Sequence, residues 1–110
     1  MRKKIAKLLD LPEGATKRFS FNRNGVRVDA FVANFKGDIV AYENLCRHLP
    51  ITLDYGDGEF FGKNNNFFVC QTHGAFYDPK TGLCVDGPCV GASLIQLTTE
   101  LNDGEVFLVG

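Results

Sequence analysis

Two short motifs, each joining one cysteine to one histidine, constrain this chain more than any other feature. They are Cys46-Arg47-His48 and Cys70-Gln71-Thr72-His73. Both histidines of the 110-residue chain lie inside these motifs, which a random placement would rarely produce. Thiolate and imidazole are both good ligands for transition metals. The sequence therefore predicts a metal site with four protein ligands, Cys46, His48, Cys70 and His73.

The order of these ligands separates two kinds of metal centre. Structural zinc sites also accept two cysteines and two histidines, but they usually group Cys with Cys and His with His. Here each motif is mixed. A mixed loop suits a [2Fe–2S] cluster of Rieske type, in which two histidines replace two cysteines on one of the irons. The pattern favours that cluster, and a zinc-stabilised interaction module remains the alternative.

The residues Cys46-x-His48, Cys70-x-x-His73 and Gly74 resemble the motifs of the Rieske-type ferredoxin family. The resemblance implies that the two cysteines ligate the inner iron and that the two histidines ligate the outer iron, near the surface. It covers the chain from about residue 5 to the C-terminus. It implies an all-β, single-domain fold over residues 1–110, an antiparallel β-sandwich of two sheets. A small three-stranded cluster-binding subdomain would be inserted at about residues 45–77.

The motifs depart from those of high-potential Rieske proteins, in which a disulfide joins the two cluster loops. Ile51 and Thr72 stand at the positions of those two cysteines, and Ala75 replaces a serine whose hydroxyl bonds a cluster sulfur. Tyr77 matches a tyrosine that can bond a ligand sulfur in that class. Fewer hydrogen bonds to sulfur stabilise the reduced cluster less. We therefore expect a disulfide-free centre of low potential.

The residues that flank the ligands are expected to surround the cluster, and all but Tyr77 to form the rim where a redox partner docks. Small or apolar side chains there let a partner approach the outer histidines. Electron-transfer contacts are small and transient. The flanking residues are Leu49, Pro50, Gly74, Ala75, Phe76 and Tyr77.

Two further cysteines, Cys84 and Cys89, lie outside any CxH or CxxH frame, so we do not assign them to the cluster. Because a reducing cytosol disfavours disulfides, buried thiols packed behind the cluster are the first interpretation. A local disulfide and a second metal or redox role remain open.

Short apolar segments separated by Gly, Asn, Asp and Pro are typical of an all-β chain. Asn24-Gly25 is a strong hairpin signal, and the alternation over residues 26–33 predicts a half-buried strand. A hairpin over residues 59–70 would deliver Cys70 into the second ligand loop. No helix is predicted. The predicted strands cover residues 5–9, 16–21, 26–33, 39–43, 59–62, 67–70, 76–77, 93–98 and 105–109.

The composition of the chain, and the absence of further histidines and motifs, exclude several classes of function. A net charge of −1 gives no electrostatic basis for binding nucleic acid or anionic lipid, and no apolar segment has membrane length. The N-terminal segment is too short and too charged for a signal peptide, which favours a cytoplasmic protein. No histidine is left over for a mononuclear iron or a nucleophile's base, and no GxGxxG fingerprint is present. We therefore expect electron transfer and not an enzyme.

The resemblance implies a soluble one-electron carrier. Such a carrier would accept electrons from a flavin or NAD(P)H-linked reductase and pass them to a terminal oxygenase or reductase. The alternative within the family is a small subunit of a larger reductase, similar to the nitrite reductase small subunit.

Overall fold

The computed structural model describes residues 2–45, 53, 60–61, 67–70 and 74–109. Within these residues the chain forms nine β-strands, one short 3₁₀ helix at Leu8–Asp10 and no α-helix, which confirms the all-β prediction. The strands are β1 (Arg2–Lys7), β2 (Thr16–Arg23), β3 (Val26–Phe35), β4 (Asp38–Glu43), β5 (Phe68–Val69), β6 (Phe76–Tyr77), β7 (Cys84–Asp86), β8 (Gln96–Asn102) and β9 (Glu105–Val109).

Six strands form one antiparallel sheet in the order β1-β9-β8-β4-β3-β2. Strand β8 joins its two halves, because Gln96 and Leu97 pair with β4 whereas residues 98–102 pair with β9. The halves β1-β9-β8 and β4-β3-β2 correspond to the two sheets expected from the sequence. A second, three-stranded antiparallel sheet has the order β5-β6-β7.

The predicted hairpin at Asn24-Gly25 is confirmed. Both residues are in the left-handed region, with φ angles of 52° and 82°, and Arg23 pairs with Val26 across the turn. Two consecutive positive φ angles define the type I′ turn, whose twist matches that of the flanking strands. This turn fixes the register of β2 against β3 over their whole length, from Arg23↔Val26 to Thr16↔Ala33.

The prediction of a half-buried β3 is wrong for the second half of the strand, where four consecutive residues from Ala30 to Ala33 are buried. Ala30 and Val32 face one apolar core, and Phe31 and Ala33 face another. The first core lies between the halves of the large sheet; the second joins β3 and β4 to the small sheet. Val26, at the start of the strand, is 63% exposed. The alternation of apolar and polar residues predicts burial on one face only. It therefore fails for β3, because a core covers each of its two faces.

Aromatic rings fill the second core. The Phe31 ring stacks on Phe60 with centroids 4.0 Å apart, and it meets Phe68 edge-on at 5.0 Å. Tyr42 lies beside Phe31, and its hydroxyl donates a hydrogen bond of 2.7 Å to the Pro79 carbonyl. These contacts attach the small sheet, and the turn that follows β6, to the central strands.

Several predicted boundaries need correction. The strand predicted over residues 93–98 is β8, which spans Gln96–Asn102. The first strand was predicted over residues 5–9, but β1 ends at Lys7 because its partner β9 begins at Glu105. The chain then forms the 3₁₀ helix, and the Leu8 N–H donates to the Gly104 carbonyl at 2.9 Å. The small sheet reaches past residue 77, the predicted end of the subdomain, because the turn after β6 returns the chain and β7 pairs with β6.

The predicted hairpin over residues 59–70 is described only at its base. Phe61 and Phe68 form an antiparallel bridge, and the Val69 N–H donates to the Phe60 carbonyl at 2.8 Å. Residues 59 and 62–66 lie outside the described residues.

We expect Phe31→Ala to lower the free energy of unfolding by about 3–5 kcal/mol, because it removes the ring on which Phe60 and Phe68 pack. Val26→Ala is the matched control on the same strand; its exposed side chain should change stability by less than about 0.5 kcal/mol. Urea unfolding monitored by circular dichroism measures both. Equal losses would contradict the assignment of Phe31 to the joint between the sheets.

We also expect Tyr42 to make stability depend on alkaline pH. Burial, and secondarily the charge of Asp78, raises the pKa of the Tyr42 phenol from 10.0 to about 12. Its contribution is complete below the unfolded pKa near 10 and is lost as the pH rises toward 12, because the unfolded chain releases the proton first. Tyr42→Phe should cost about 1 kcal/mol at neutral pH, for the lost hydrogen bond. Its stability should then decline less steeply across this alkaline range. A decline as steep as that of the wild type would contradict the assignment.

Candidate metal centre

Cys70 is the one predicted ligand that lies in the described part of the chain. It directly follows β5, is fully buried and belongs to the second core, together with Ala75, Tyr77 and Cys84. The other predicted ligands, Cys46, His48 and His73, and the flanking Leu49 and Pro50, lie outside the described residues.

Two backbone hydrogen bonds fix the residues on either side of segment 71–73, which contains His73. The Cys70 N–H donates to the Ala75 carbonyl at 2.9 Å, and the Gly74 N–H donates to the Cys70 carbonyl at 2.8 Å. Cys70 and Gly74 are therefore held together by the protein backbone. The base of the second ligand loop is thus closed by backbone hydrogen bonds.

The first ligand loop starts from a base held by Asn44, a residue that the sequence analysis missed. Asn44 is 3% exposed, and its side-chain Oδ1 accepts a hydrogen bond of 2.9 Å from the Leu53 N–H. Its own N–H donates to the Asp29 carbonyl on β3 at 2.8 Å. Residues 44 and 53, which flank the segment containing Cys46 and His48, are thus joined. Asparagine commonly bonds nearby backbone where a strand passes into a loop, which was the available signal.

Glu43, the neighbour of Asn44, secures the end of β4 to two other elements. Its N–H donates to the Ile95 carbonyl at 2.9 Å. Its nearly buried carboxylate lies 3.0 Å from Arg23 Nη1 on β2, close enough for an ion pair although without the geometry of a hydrogen bond. A buried carboxylate is costly unless it is paired, so this contact offsets its desolvation.

The expected rim of the site is only partly exposed. Gly74 is exposed and Phe76 is half-buried, whereas Ala75 is fully buried and therefore forms part of the wall behind the loop. Ala75 is buried because the segment from Gly87 lies directly against its backbone.

Gly87 is the second residue that the sequence analysis missed. Its φ is +97°, and a Cβ atom there would lie 2.8 Å from Ala75 Cα and 3.2 Å from the Gly74 carbonyl oxygen. Real Cβ atoms do not approach backbone so closely, so glycine is required for both conformation and space. The segment between β7 and Cys89 therefore packs its backbone onto the second ligand loop. The Gly87-Pro88 pair that follows a strand was the available signal.

Cys84 and Cys89 are thiols that contact each other. Cys89 Sγ donates to Cys84 Sγ at 3.2 Å, and Cys84 Sγ donates to the Asp86 carbonyl at 3.3 Å. The Tyr77 hydroxyl lies 3.2 Å from Cys89 Sγ. Burial, followed by the hydrogen bond with Cys89, raises the pKa of the Cys84 thiol to about 11. The expectation of two buried thiols is met by Cys84, whereas Cys89 is partly exposed.

The described side of this site fits an iron–sulfur cluster. Cys70 would supply a soft sulfur ligand, and the fully buried residues Phe68, Ala75 and Tyr77 belong to the same core. Low solvent exposure and hydrogen bonds to the sulfurs are the means by which proteins set the potential of such clusters. Among the residues that the structure describes, no group of three His, Cys, Asp or Glu side chains is placed to hold a metal ion elsewhere.

The Rieske [2Fe–2S] domain family matches residues 2–102, and the chain therefore belongs to this family. It is accordingly a protein that carries one Rieske [2Fe–2S] cluster. Two curated relatives have similar sequences. The menaquinol:cytochrome c reductase iron-sulfur subunit of Geobacillus thermodenitrificans is 36% identical over 66% of this chain and 41% of its own length. The cytochrome b6-f complex iron-sulfur subunit of Chlorobaculum thiosulfatiphilum is 31% identical over 76% of this chain and 40% of its own length. The chain thus spans about two fifths of these relatives.

Solved structures share the fold over nearly the whole chain. The ferredoxin of carbazole 1,9a-dioxygenase from Nocardioides aromaticivorans IC177 superposes with a TM-score of 0.74. It is 23% identical, and the match covers 98% of this chain and 96% of that one. A chain in a complex of reduced oxygenase and oxidized ferredoxin of carbazole 1,9a-dioxygenase has a TM-score of 0.76 and is 26% identical, with 99% and 93% covered. In the described part of the chain, no helix is long and apolar enough to cross a bilayer.

We expect Gly87→Ala to disturb the second ligand loop, because its Cβ would displace the backbone of Ala75. Gly91→Ala is the matched control: its φ is +95°, but no atom lies within 4 Å of the added Cβ. Both variants should lose about 1 kcal/mol of stability from the unfavourable φ. Gly87→Ala alone should change the electron paramagnetic resonance (EPR) spectrum of the reduced cluster. Identical spectra for the two variants would contradict a packing role of Gly87 against that loop.

Proposed function

We propose that this protein is a one-electron carrier whose cluster is ligated by Cys46 and Cys70 on the inner iron and by His48 and His73 on the outer iron. The observation that carries the proposal is the pair of mixed motifs in a chain of the Rieske family. The burial of Cys70 at the closed base of its loop supports it, because that position suits an inner-iron ligand shielded from water.

A bound cluster would supply the one-electron couple, and the chain's own residues would set its surroundings. The buried Phe68, Ala75 and Tyr77 exclude water from the sulfur side. Exposed Gly74, with open space where a side chain would be, leaves room for a partner surface beside the second loop. A dry interior and an open rim suit electron transfer through a small, transient contact.

We further propose that electrons pass from a flavin or NAD(P)H-linked reductase, through this protein, to a terminal oxygenase, in the cytoplasm. Two findings support the oxygenase as the acceptor. The ferredoxin that shares the fold over almost its entire length belongs to a dioxygenase system, and a related chain occurs in a complex of an oxygenase with a ferredoxin. The protein itself would not turn over a substrate, since both histidines are assigned to the cluster.

A subunit of a larger reductase is the second candidate function. It is favoured by the two curated relatives, which are iron–sulfur subunits of a menaquinol:cytochrome c reductase and of a cytochrome b6-f complex. The reduction potential of the cluster discriminates between these two candidate functions. Ile51, Thr72 and Ala75 stand where high-potential Rieske proteins carry the disulfide and the serine, so the ferredoxin role predicts a low midpoint.

The first experiment is EPR spectroscopy of the dithionite-reduced protein, combined with a redox titration. We expect a rhombic signal whose average g lies below that of an all-cysteine ferredoxin. The midpoint should lie near the lower end of the Rieske range of roughly −150 to +300 mV. A colourless, EPR-silent protein containing zinc would overturn the proposal in favour of a structural module. A clearly positive midpoint would favour the second candidate.

Ligand assignment is tested with a matched pair of cysteine variants. Cys70→Ala should abolish the cluster, whereas Cys89→Ala should retain its colour and its EPR signal, because Cys89 bonds Tyr77 and Cys84. Retention of the cluster in Cys70→Ala would contradict the assignment.

A further inference from the structure

We propose that Cys84 and Cys89 form a redox-active dithiol that closes to an intramolecular disulfide by exchange with a small-molecule disulfide such as oxidised glutathione. This site is separate from the four proposed cluster ligands. It rests on the mutual contact of the two thiols, on their unequal exposure and on the place of their loop in the fold.

The two sulfur atoms are already in contact. They lie 3.2 Å apart, joined by the hydrogen bond from Cys89 to Cys84. Disulfide formation requires them to approach by about another 1 Å, to the S–S bond length. The loop that connects them contains Gly87 at φ +97°. Two backbone hydrogen bonds join Cys84 to the residues just after Cys89: the Gly91 N–H donates to the Cys84 carbonyl, and the Cys84 N–H donates to the Ala92 carbonyl. The backbone thus already holds the loop ends together.

The surroundings assign different roles to the two sulfurs. Cys89 is partly exposed, so a reagent in solution can reach it. Cys84 is 1% exposed, and burial together with the hydrogen bond from Cys89 raises the pKa of its thiol to about 11, so it remains protonated at neutral pH. Since the thiolate is the attacking form, an accessible cysteine reacts first. Cys89 is therefore the attacking residue and Cys84 the resolving one.

The exchange proceeds in two balanced steps. The Cys89 thiolate attacks one sulfur of oxidised glutathione, which forms a mixed disulfide and releases one glutathione thiolate. Cys84 Sγ then attacks Cys89 Sγ and displaces the second glutathione, which takes up the proton lost by the Cys84 thiol. Overall the protein loses two electrons and two protons, and one oxidised glutathione becomes two reduced molecules.

The position of the loop gives this reaction a structural consequence. Gly87, midway between the two cysteines, lies against the backbone of Gly74 and Ala75 in the second ligand loop. The Tyr77 hydroxyl contacts Cys89 Sγ, so a movement of this sulfur toward Cys84 also changes a contact of Tyr77. Closure of the disulfide therefore acts on Gly74 and Ala75 through Gly87, and on Tyr77 through Cys89.

Tryptic digestion isolates the dithiol from the other cysteines. Residues 81–110 contain Cys84 and Cys89, no other cysteine, and no Lys or Arg. The cluster-loaded protein is incubated without oxygen in glutathione buffers of varied oxidised-to-reduced ratio. It is then denatured in the presence of iodoacetamide, which alkylates free thiols, and digested with trypsin. The mass of the peptide is measured by mass spectrometry. As the ratio rises, we expect this peptide to appear without alkyl groups and two hydrogen masses lighter than the unalkylated dithiol peptide, while the visible absorption of the cluster persists. Two alkyl groups at every ratio would overturn the proposal.

Single variants test the two roles. In Cys84→Ser, Cys89 lacks its resolving partner and should accumulate as a glutathione adduct. In Cys89→Ser, the buried Cys84 should form the adduct at least about tenfold more slowly. Equal rates would overturn the roles assigned here. Because disulfide formation is read from the peptide and cluster content from absorption, a protein without an iron–sulfur cluster can still show the dithiol reaction. The two proposals therefore fail separately.

Discussion

The burial of β3 on both faces is the constraint on which the remaining structure depends. Phe31 packs against the rings of the small sheet, while its neighbours Ala30 and Val32 pack into the core of the large sheet. A shift of β3 by one residue would exchange these two faces, so that small residues would meet the rings and Phe31 would enter the other core. The tight turn at Asn24-Gly25 prevents that shift, because it fixes the register of β2 and β3 from their first pair. The position of the small sheet, and with it that of Cys70, thus depends on a two-residue turn at the start of β3.

Hydrogen bonds within the protein hold the bases of both ligand loops in place. The hydrogen bond between Cys70 and Ala75 closes the second ligand loop. The Asn44 side chain binds the Leu53 N–H and so joins the two sides of the first ligand loop. Metal binding usually contributes to folding in small domains, since the ligands must be gathered from a disordered chain. Here, part of that ordering is already provided by backbone and amide hydrogen bonds.

Local signals in the sequence predicted local structure well and tertiary contacts poorly. The Asn24-Gly25 turn and the short strand β6 are both found as predicted. The double burial of β3, the pairing of β7 with β6 and the end of β1 depend on partners distant in sequence. For the site, the CxH and CxxH motifs indicated the metal chemistry, because the type and spacing of the ligands can be read from the sequence alone. Asn44 and Gly87 were missed because their roles arise from contacts with Leu53 and Ala75.

The chain holds four cysteines, and their surroundings explain why two of them need not compete for iron. A thiol must lose its proton to become a metal ligand. Cys84 is hindered in this, because its Sγ donates to the Asp86 carbonyl and burial keeps its pKa high. Cys89 is occupied by Cys84 and by the Tyr77 hydroxyl. The hydrogen bonds that make the pair a poor metal ligand are the same contacts that place its sulfurs for reaction with each other. Iron binding and thiol exchange can therefore occupy neighbouring loops of one small sheet, because different residues serve each of them.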